Sequence, residues 1–406
     1  MKVERIGVVG AGTMGSGIAQ IACLGGYETR LHDPIAPALD GGIERTKTAL
    51  AKGAERNRWS REEADAASAL VGAAPSLADI HECDLVIEAA PEDLGLKREL
   101  FAALAAACGP NTILASNTSS LSVAAIAALV PHPERVVGMH FFNPPALMKL
   151  VEIVATAESG KEALDAATEV GKRMGRTPIR AKDSPGFIAN RLARPFSLES
   201  LRMLAGGVAD VETIDRVCRL GGGFKMGPFE LIDLIGLDVN LSVARSFYAQ
   251  GGEPERWRPS AIQERLVAEG RLGRKSGGGF YDYGGERSES PGVTRFPPYG
   301  RQTRNTREEP TLDPDELSKI DPAAPEILPR LVAQIANEAA FALEEEVGSP
   351  ADMNTAMRLG FNWPLGPLEF TDLIGPDRAV ELLTELQREH GNAYTPAPRL
   401  IAAARE

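Results

Sequence analysis

The sequence predicts an α/β fold, a doubly wound sheet followed by two related all-helical C-terminal domains. Three observations carry this expectation. Short β-branched runs alternate with Ala/Leu-rich stretches from Arg5 to about Lys182. A glycine cluster, Gly10-Ala-Gly-Thr-Met-Gly15, stands where the first such run gives way to a helical pattern. A phrase near residue 227 returns 139 residues later.

Taken in order, the strand-like runs are Arg5 to Gly10, Tyr27 to Asp33, Asp84 to Glu88, Thr112 to Ser116, Arg135 to Phe142, Lys149 to Ala155 and Thr177 to Asp183. The charged, helical stretch from about 37 to 70 reads as an inserted helical hairpin. Together these define a first domain over 1–183. Pro185 suits a first helical position, and Phe187, Leu192, Phe196 and Leu201 repeat with a helical period, so a helical domain is expected over 184–285. Residues 286–325 hold seven prolines and read as an irregular outer linker. Gly227-Pro-Phe-Glu-Leu-Ile-Asp-Leu-Ile-Gly236 then recurs as Gly366-Pro-Leu-Glu-Phe-Thr-Asp-Leu-Ile-Gly375, and Arg191-Leu192 and Arg219-Leu-Gly221 recur in the same register. Residues 326–406 are therefore a second helical copy.

Composition narrows the function. At 406 residues the chain is too long for one core, and no apolar run reaches the ~18 to 20 residues of a membrane span. The first strand begins within five residues of the start, which leaves no room for a leader and points to the cytoplasm. Cys23, Cys83, Cys108 and Cys218 stand singly, so neither a disulfide scaffold nor a metal site is expected. The net charge of -12 argues against a nucleic-acid binder and leaves room for a local basic patch.

The glycine cluster has a chemical meaning in its context. Gly10 permits a tight turn, Gly12 lets a pyrophosphate approach the backbone beside Thr13 and Met14, and Gly15 allows close packing of helix on strand. Asp33 ends the second strand, where a carboxylate accepts hydrogen bonds from an adenosine ribose. With no arginine beside it, NAD is favoured over NADP. The first domain thus reads as a Rossmann-type nucleotide domain.

Of five histidines, only His140 ends a strand at the ligand-binding edge of such a sheet. Glu152 lies within the apolar run Leu150-Val-Glu-Ile-Val154, where a carboxylate either faces water or is paired; pairing with His140 would fix its tautomer. The cluster Ser116-Asn-Thr-Ser-Ser120 is either a turn or a set of donors to a substrate oxygen.

These residues together resemble the L-3-hydroxyacyl-CoA dehydrogenases, in particular those acting on 3-hydroxybutyryl-CoA. The matching phrases run in family order over 1–283: Gly10 to Gly15, Glu88-Ala-Ala-Pro-Glu92 with Lys97, Ser116 to Leu121, Gly138 to Pro144, Lys149-Leu-Val-Glu152, Asp183 to Leu192, Met226 to Leu231 and Gly273 to Tyr281. The resemblance implies that His140 is the base, Glu152 its orienting carboxylate, and Ser119 and Asn190 the holders of the oxygen at C3. It also implies that Glu92, Lys97, Ser119, Asn143 and Lys275 surround NAD.

In this family the hairpin grips coenzyme A. Here it carries Arg45, Lys47, Lys52, Arg56 and Arg58. Thr46 stands where the family has a serine, and Lys52 is near the usual lysine. Ser119, Thr46 and Lys52 are thus the implied substrate contacts. In the second copy Pro329 replaces Asn190, so that copy is expected to be catalytically silent and to pair with residues 185–283. A monomer with internal pairing or a homodimer follows. Two other readings compete: a dehydrogenase of a free sugar acid such as L-gulonate, and a non-enzymatic, crystallin-like NAD-binding protein.

Overall fold

A computed structural model describes residues 2–284, 294–295 and 309–405. The chain divides into two compact units, Met1–Phe187 and Ile188–Glu406. The first holds strands β1 (Arg5–Val9), β2 (Glu28–His32), β3 (Val71–Ala74), β4 (Leu85–Glu88), β5 (Ile113–Ser116), β6 (Val136–Phe141), β7 (Leu150–Ala155) and β8 (Thr177–Lys182). They form one sheet in the order β3-β2-β1-β4-β5-β6-β7-β8. Only β6 and β7 pair antiparallel. The order reverses at β1, which creates the crevice at the strand ends where open α/β sheets take ligands.

Helices α1 (Thr13–Leu24), α2 (Ala36–Glu55), α3 (Arg61–Leu70), α4 (Leu94–Ala107), α5 (Val123–Ala127) and α6 (Lys161–Arg173) flank the sheet. The nearly continuous apolar strands bury both faces, as a parallel sheet requires. Ile6, Val8, Ile87, Val137 and Ile153 meet Ile18 and Ile21 of α1 and Val170 of α6 in one core. The hairpin is α2 and α3, and Ser60 and Glu63 form a reciprocal capping box at the start of α3.

Two local expectations change. The edge strand β3, Val-Gly-Ala-Ala, was not foreseen; its small residues carry little strand signal, and pairing with β2 imposes the conformation. Pro185 does not open a helix, because Gly186 and Phe187 take positive φ values of 74° and 51°, and the first helix begins at Ala189. The first compact unit carries the chain past Asp183 to Phe187. Asp183 is tied back by the Ser122 hydroxyl and the amides of Val123 and Ala124, and the Phe187 ring lies 5.8 Å from that of His140.

The second unit is helical: α7 (Ala189–Leu192), α8 (Arg194–Ala205), α9 (Val211–Leu220), α10 (Pro228–Ile235), α11 (Leu237–Gln250) and α12 (Ala261–Ala268), then α13 (Pro314–Ser318), α14 (Ala324–Glu344), α15 (Pro350–Gly360), α16 (Pro367–Ile374), α17 (Pro376–His390) and α18 (Pro398–Ala403). The long α14 packs on α8 and α9 as well as on α16, α17 and α18. Its residues match α7 and α8 at the repeat offset, with the break at Ala193 healed into one helix. Much of the expected linker lies outside the described residues. Its end is more ordered than expected: Asp313 caps α13, and Leu317 is fully buried.

Candidate active site

The turn after β1 shows what each glycine does. Gly10 has φ +99°, and a Cβ there would lie 2.6 Å from the Ala89 carbonyl oxygen. A Cβ on Gly15 would lie 1.7 Å from the carbonyl oxygen of Gly10, so helix and turn touch backbone to backbone. Gly12 differs: a Cβ there would meet nothing within 4 Å. No side chain caps the start of α1, and Thr13 is exposed there with Met14 half-buried beside it. Unsatisfied amides at a helix start facing open space form a cradle for an anion. Asp33 accepts from the Ala11 amide at 2.9 Å and the Ile35 amide at 3.0 Å, which fixes a carboxylate beside the cradle. A dinucleotide fits these residues.

The ends of β4 and β5 carry a carboxylate relay. Glu88 is fully buried and accepts from Lys97 at 2.5 Å, from the Ser116 hydroxyl at 2.7 Å and from the Ala90 amide at 2.6 Å. Lys97 also lies 3.4 Å from Glu92. Glu92 accepts from the Thr118 hydroxyl at 2.6 Å and from the amides of Ser119 and Ser120. Burial opposes its ionisation, yet the Thr118 hydroxyl, the Lys97 ammonium and the Ser119 amide hold its carboxyl below the usual range.

His140 and Glu152 face each other across the antiparallel pair β6–β7. His140 Nδ1 and Glu152 Oε2 are 2.6 Å apart, and Glu152 is wholly buried. The Phe142 ring lies 4.5 Å from the imidazole. Of the two possibilities for Glu152, the paired one is realised. Asn143 follows, exposed, at the end of the β6 segment.

Comparison with known proteins agrees with this geometry. The family model for the NAD binding domain of 3-hydroxyacyl-CoA dehydrogenase matches residues 5–184, and that for the C-terminal domain matches both 186–283 and 327–405. The chain belongs to the 3-hydroxyacyl-CoA dehydrogenase family. It is 36% identical to a 3-hydroxyadipyl-CoA dehydrogenase of Escherichia coli K12, over 98% of this chain and 97% of that one. A probable 3-hydroxybutyryl-CoA dehydrogenase of Bacillus subtilis is 41% identical over 70% of this chain and 98% of its own length. A crystal structure of 3-hydroxybutyryl-CoA dehydrogenase from Escherichia coli K12 aligns over 100% of this chain and 99% of that one, with TM-score 0.87 and 34% identity.

Against the pattern of 3-hydroxyacyl-CoA dehydrogenases, one expected contact changes place. Thr46 is fully buried, its hydroxyl directed to the carbonyls of Gly42 at 2.9 Å and Ser16 at 3.1 Å. It stitches α2 to α1 and does not present a hydroxyl to a ligand; the sequence shows the residue but not which helix face packs. Lys97 is 1% exposed, and its ammonium lies between Glu88 at 2.5 Å and Glu92 at 3.4 Å. Glu88 is the group that sequence reasoning passed over. Its signal was a carboxylate ending a buried apolar strand, the argument already applied to Glu152.

Lys52 is exposed and borders a groove of about 460 Å³ along α1 and α2, closed by Pro144 to Ala146. Arg45 lines the same groove and donates to the Ala11 carbonyl. In the helical unit, Asn190 is half-buried at the start of α7, and Lys275 pairs with Asp238 at 2.6 Å. NAD is the cofactor of the family, and the chain is an oxidoreductase of that class. No described helix is long and apolar enough to cross a membrane.

Proposed function

We propose that the protein interconverts a short-chain (3S)-3-hydroxyacyl-CoA and its 3-oxoacyl-CoA through His140. The observation that carries this reading is the buried 2.6 Å contact between His140 and Glu152 in a chain of this family. With Nδ1–H donating to the carboxylate, the neutral imidazole keeps its lone pair on Nε2. Nε2 takes the hydroxyl proton during oxidation and returns it during reduction. Glu152 holds the tautomer and stabilises the imidazolium. Ser119 and Asn190 hold the oxygen at C3, and Phe142 and Phe187 keep water from the imidazole. When bound, NAD supplies the acceptor for the hydride that leaves C3. The Gly10–Gly15 turn holds the cofactor's pyrophosphate and Asp33 its ribose, while Glu92, Asn143 and Lys275 complete its surroundings.

Three finer points belong to the same reading. The second helical copy is catalytically silent, since Pro329 stands at the place of Asn190. It serves as an internal pairing partner, and the protein is a monomer. Four free, buried cysteines fit a reducing cytoplasm.

The test is a panel of 3-oxoacyl-CoA thioesters of increasing length, including ω-carboxylated members, with NADH consumption as the readout. The carboxylated members matter because the relative matched over nearly the whole chain is named for 3-hydroxyadipyl-CoA. Turnover highest with the shortest chains supports the reading. Turnover with L-gulonate and NAD but with no thioester would support the sugar-acid alternative instead.

A further inference from the structure

Among its described residues the helical unit buries the arginines Arg191, Arg194, Arg219 and Arg330. Three of them meet a carboxylate: Arg191 meets Glu338, Arg219 meets Glu230 and Arg330 meets Glu199. Arg194 meets none among the described residues. It is 6% exposed, and its Nε donates to the Asn190 carbonyl at 3.3 Å. Its Nη1 is buried without an acceptor, and the guanidinium lies 5.4 Å from the centre of the Phe247 ring. No acidic residue stands in the first turn of α8 to offset it. Burial lowers its pKa to about 10 with no carboxylate opposing, so the group stays charged at neutral pH. A buried charge with neither a counter-ion nor a full set of hydrogen bonds is strongly unfavourable.

The helical fold does not demand this cation. At the repeat offset Ala333 and Leu386 take the places of Arg194 and Phe247, and both lie in one apolar cluster. The second copy thus fills with hydrocarbon the place where the first keeps a guanidinium. What separates the two places is the residue four positions earlier, Asn190 in the first copy and Pro329 in the second. Ala193 keeps a helical conformation between α7 and α8, so Asn190 and Arg194 share one face. Residues at this spacing have their Cβ atoms about 6 Å apart. Three single bonds beyond C3 of an acyl chain span roughly 4 Å. With the oxygen at C3 on Asn190, a carboxylate at the end of a six-carbon chain therefore comes within reach of the guanidinium. It would supply both the missing charge and two acceptors matched to the planar fork. A methyl end of the same length supplies neither.

We propose that Arg194 is a specificity residue for a carboxylate at the far end of the acyl chain, so that the substrate is the CoA thioester of a 3-hydroxy dicarboxylic acid. This rests on the acyl-CoA reading of the active site, with Asn190 at the substrate, and names the acyl class within it.

The test compares 3-oxoadipyl-CoA with 3-oxohexanoyl-CoA, which have equal chain length and differ only at the far end. NADH consumption is followed in wild type, Arg194→Met and Arg194→Lys. Wild type is expected to favour the carboxylated ester in kcat/KM by about tenfold or more, and Arg194→Met to lose that preference, as a lost charge-assisted contact implies. Arg194→Lys should keep part of it, because it retains the charge but not the fork. Ala333 at the matching place indicates that an apolar side chain is accommodated, thermal melts check folding, and Arg194→Gln serves if the Met variant does not fold. Wild type without a preference for the carboxylated ester overturns the proposal. Equal losses on both esters in Arg194→Met also overturn it, since they assign the residue to holding the Asn190 backbone. If wild type turns over neither thioester of this pair nor acetoacetyl-CoA, the acyl-CoA reading itself fails and the proposal falls with it.

Discussion

Arg191 donates from Nε to Glu338 at 2.8 Å, with the two side chains 0% and 4% exposed. Arg330 makes the reverse pair with Glu199. Both Arg191 with Arg330 and Glu199 with Glu338 stand 139 residues apart. Each copy therefore offers the same arginine and the same glutamate to the other, the reciprocity of a two-fold interface built within one chain. Ring donors repeat the pattern: Trp257 Nε1 reaches Glu338 at 3.0 Å and the Tyr394 hydroxyl reaches Glu199 at 3.1 Å.

Removing one member of such a buried pair leaves a charge without its partner. Glu338→Gln is expected to destabilise the helical unit by about 3 kcal/mol, read as a lower urea midpoint. Glu345 also meets Arg191 but is 46% exposed, so Glu345→Gln should cost about 1 kcal/mol or less. Equal losses would contradict a special role for the reciprocal pair.

The glycine turn separates ligand space from packing. Gly12→Ala should fold as wild type and raise the KM for NAD about tenfold, because its Cβ enters open space beside the cradle. Gly15→Ala should lose more than about 2 kcal/mol of stability, since its Cβ collides with the Gly10 carbonyl. Thermal melts and NAD titrations of both variants distinguish the two effects.

Glu152→Gln keeps the volume but removes the carboxylate that faces Nδ1. A fall in kcat of about 100-fold or more is expected, with thioester and NADH binding little changed. A variant that keeps full kcat would show that Glu152 serves only the packing of β7.

A carboxyl in the helical unit gives a pH signature. Burial raises Asp233 to about 6, against the amides of Phe280 and Tyr281 and the Tyr283 hydroxyl that donate to it. The native state then keeps this proton until about pH 6, whereas the unfolded chain releases it near 4. The group's contribution to stability therefore falls by about 3 kcal/mol as pH rises through that window. Carbon-13 NMR of the Asp233 carboxyl should show a midpoint near 6; an ordinary carboxylate midpoint would contradict the burial argument.

Much of the site was legible in the sequence because its residues carry strong physical constraints. A carboxylate inside Leu150-Val-Glu-Ile-Val154 needs a partner, and His140 stood at the matching strand end. The glycine spacing was legible for the same reason. The burial of Thr46 and Lys97 was not, since it depends on which helix face packs. The strand β3 was hidden by its small residues. The duplication itself was visible as matched phrases, but the reciprocity of Arg191 and Glu338 emerges only when the copies face each other.

The central claim is that His140 is the proton carrier of an NAD-linked 3-hydroxyacyl-CoA dehydrogenase. Its most direct test is NADH consumption with acetoacetyl-CoA by wild type and by His140→Asn, with NADH binding measured in both. Saturable turnover in wild type that drops at least ~100-fold in a variant still binding NADH is the predicted result. Turnover by the variant at the wild-type rate would contradict it.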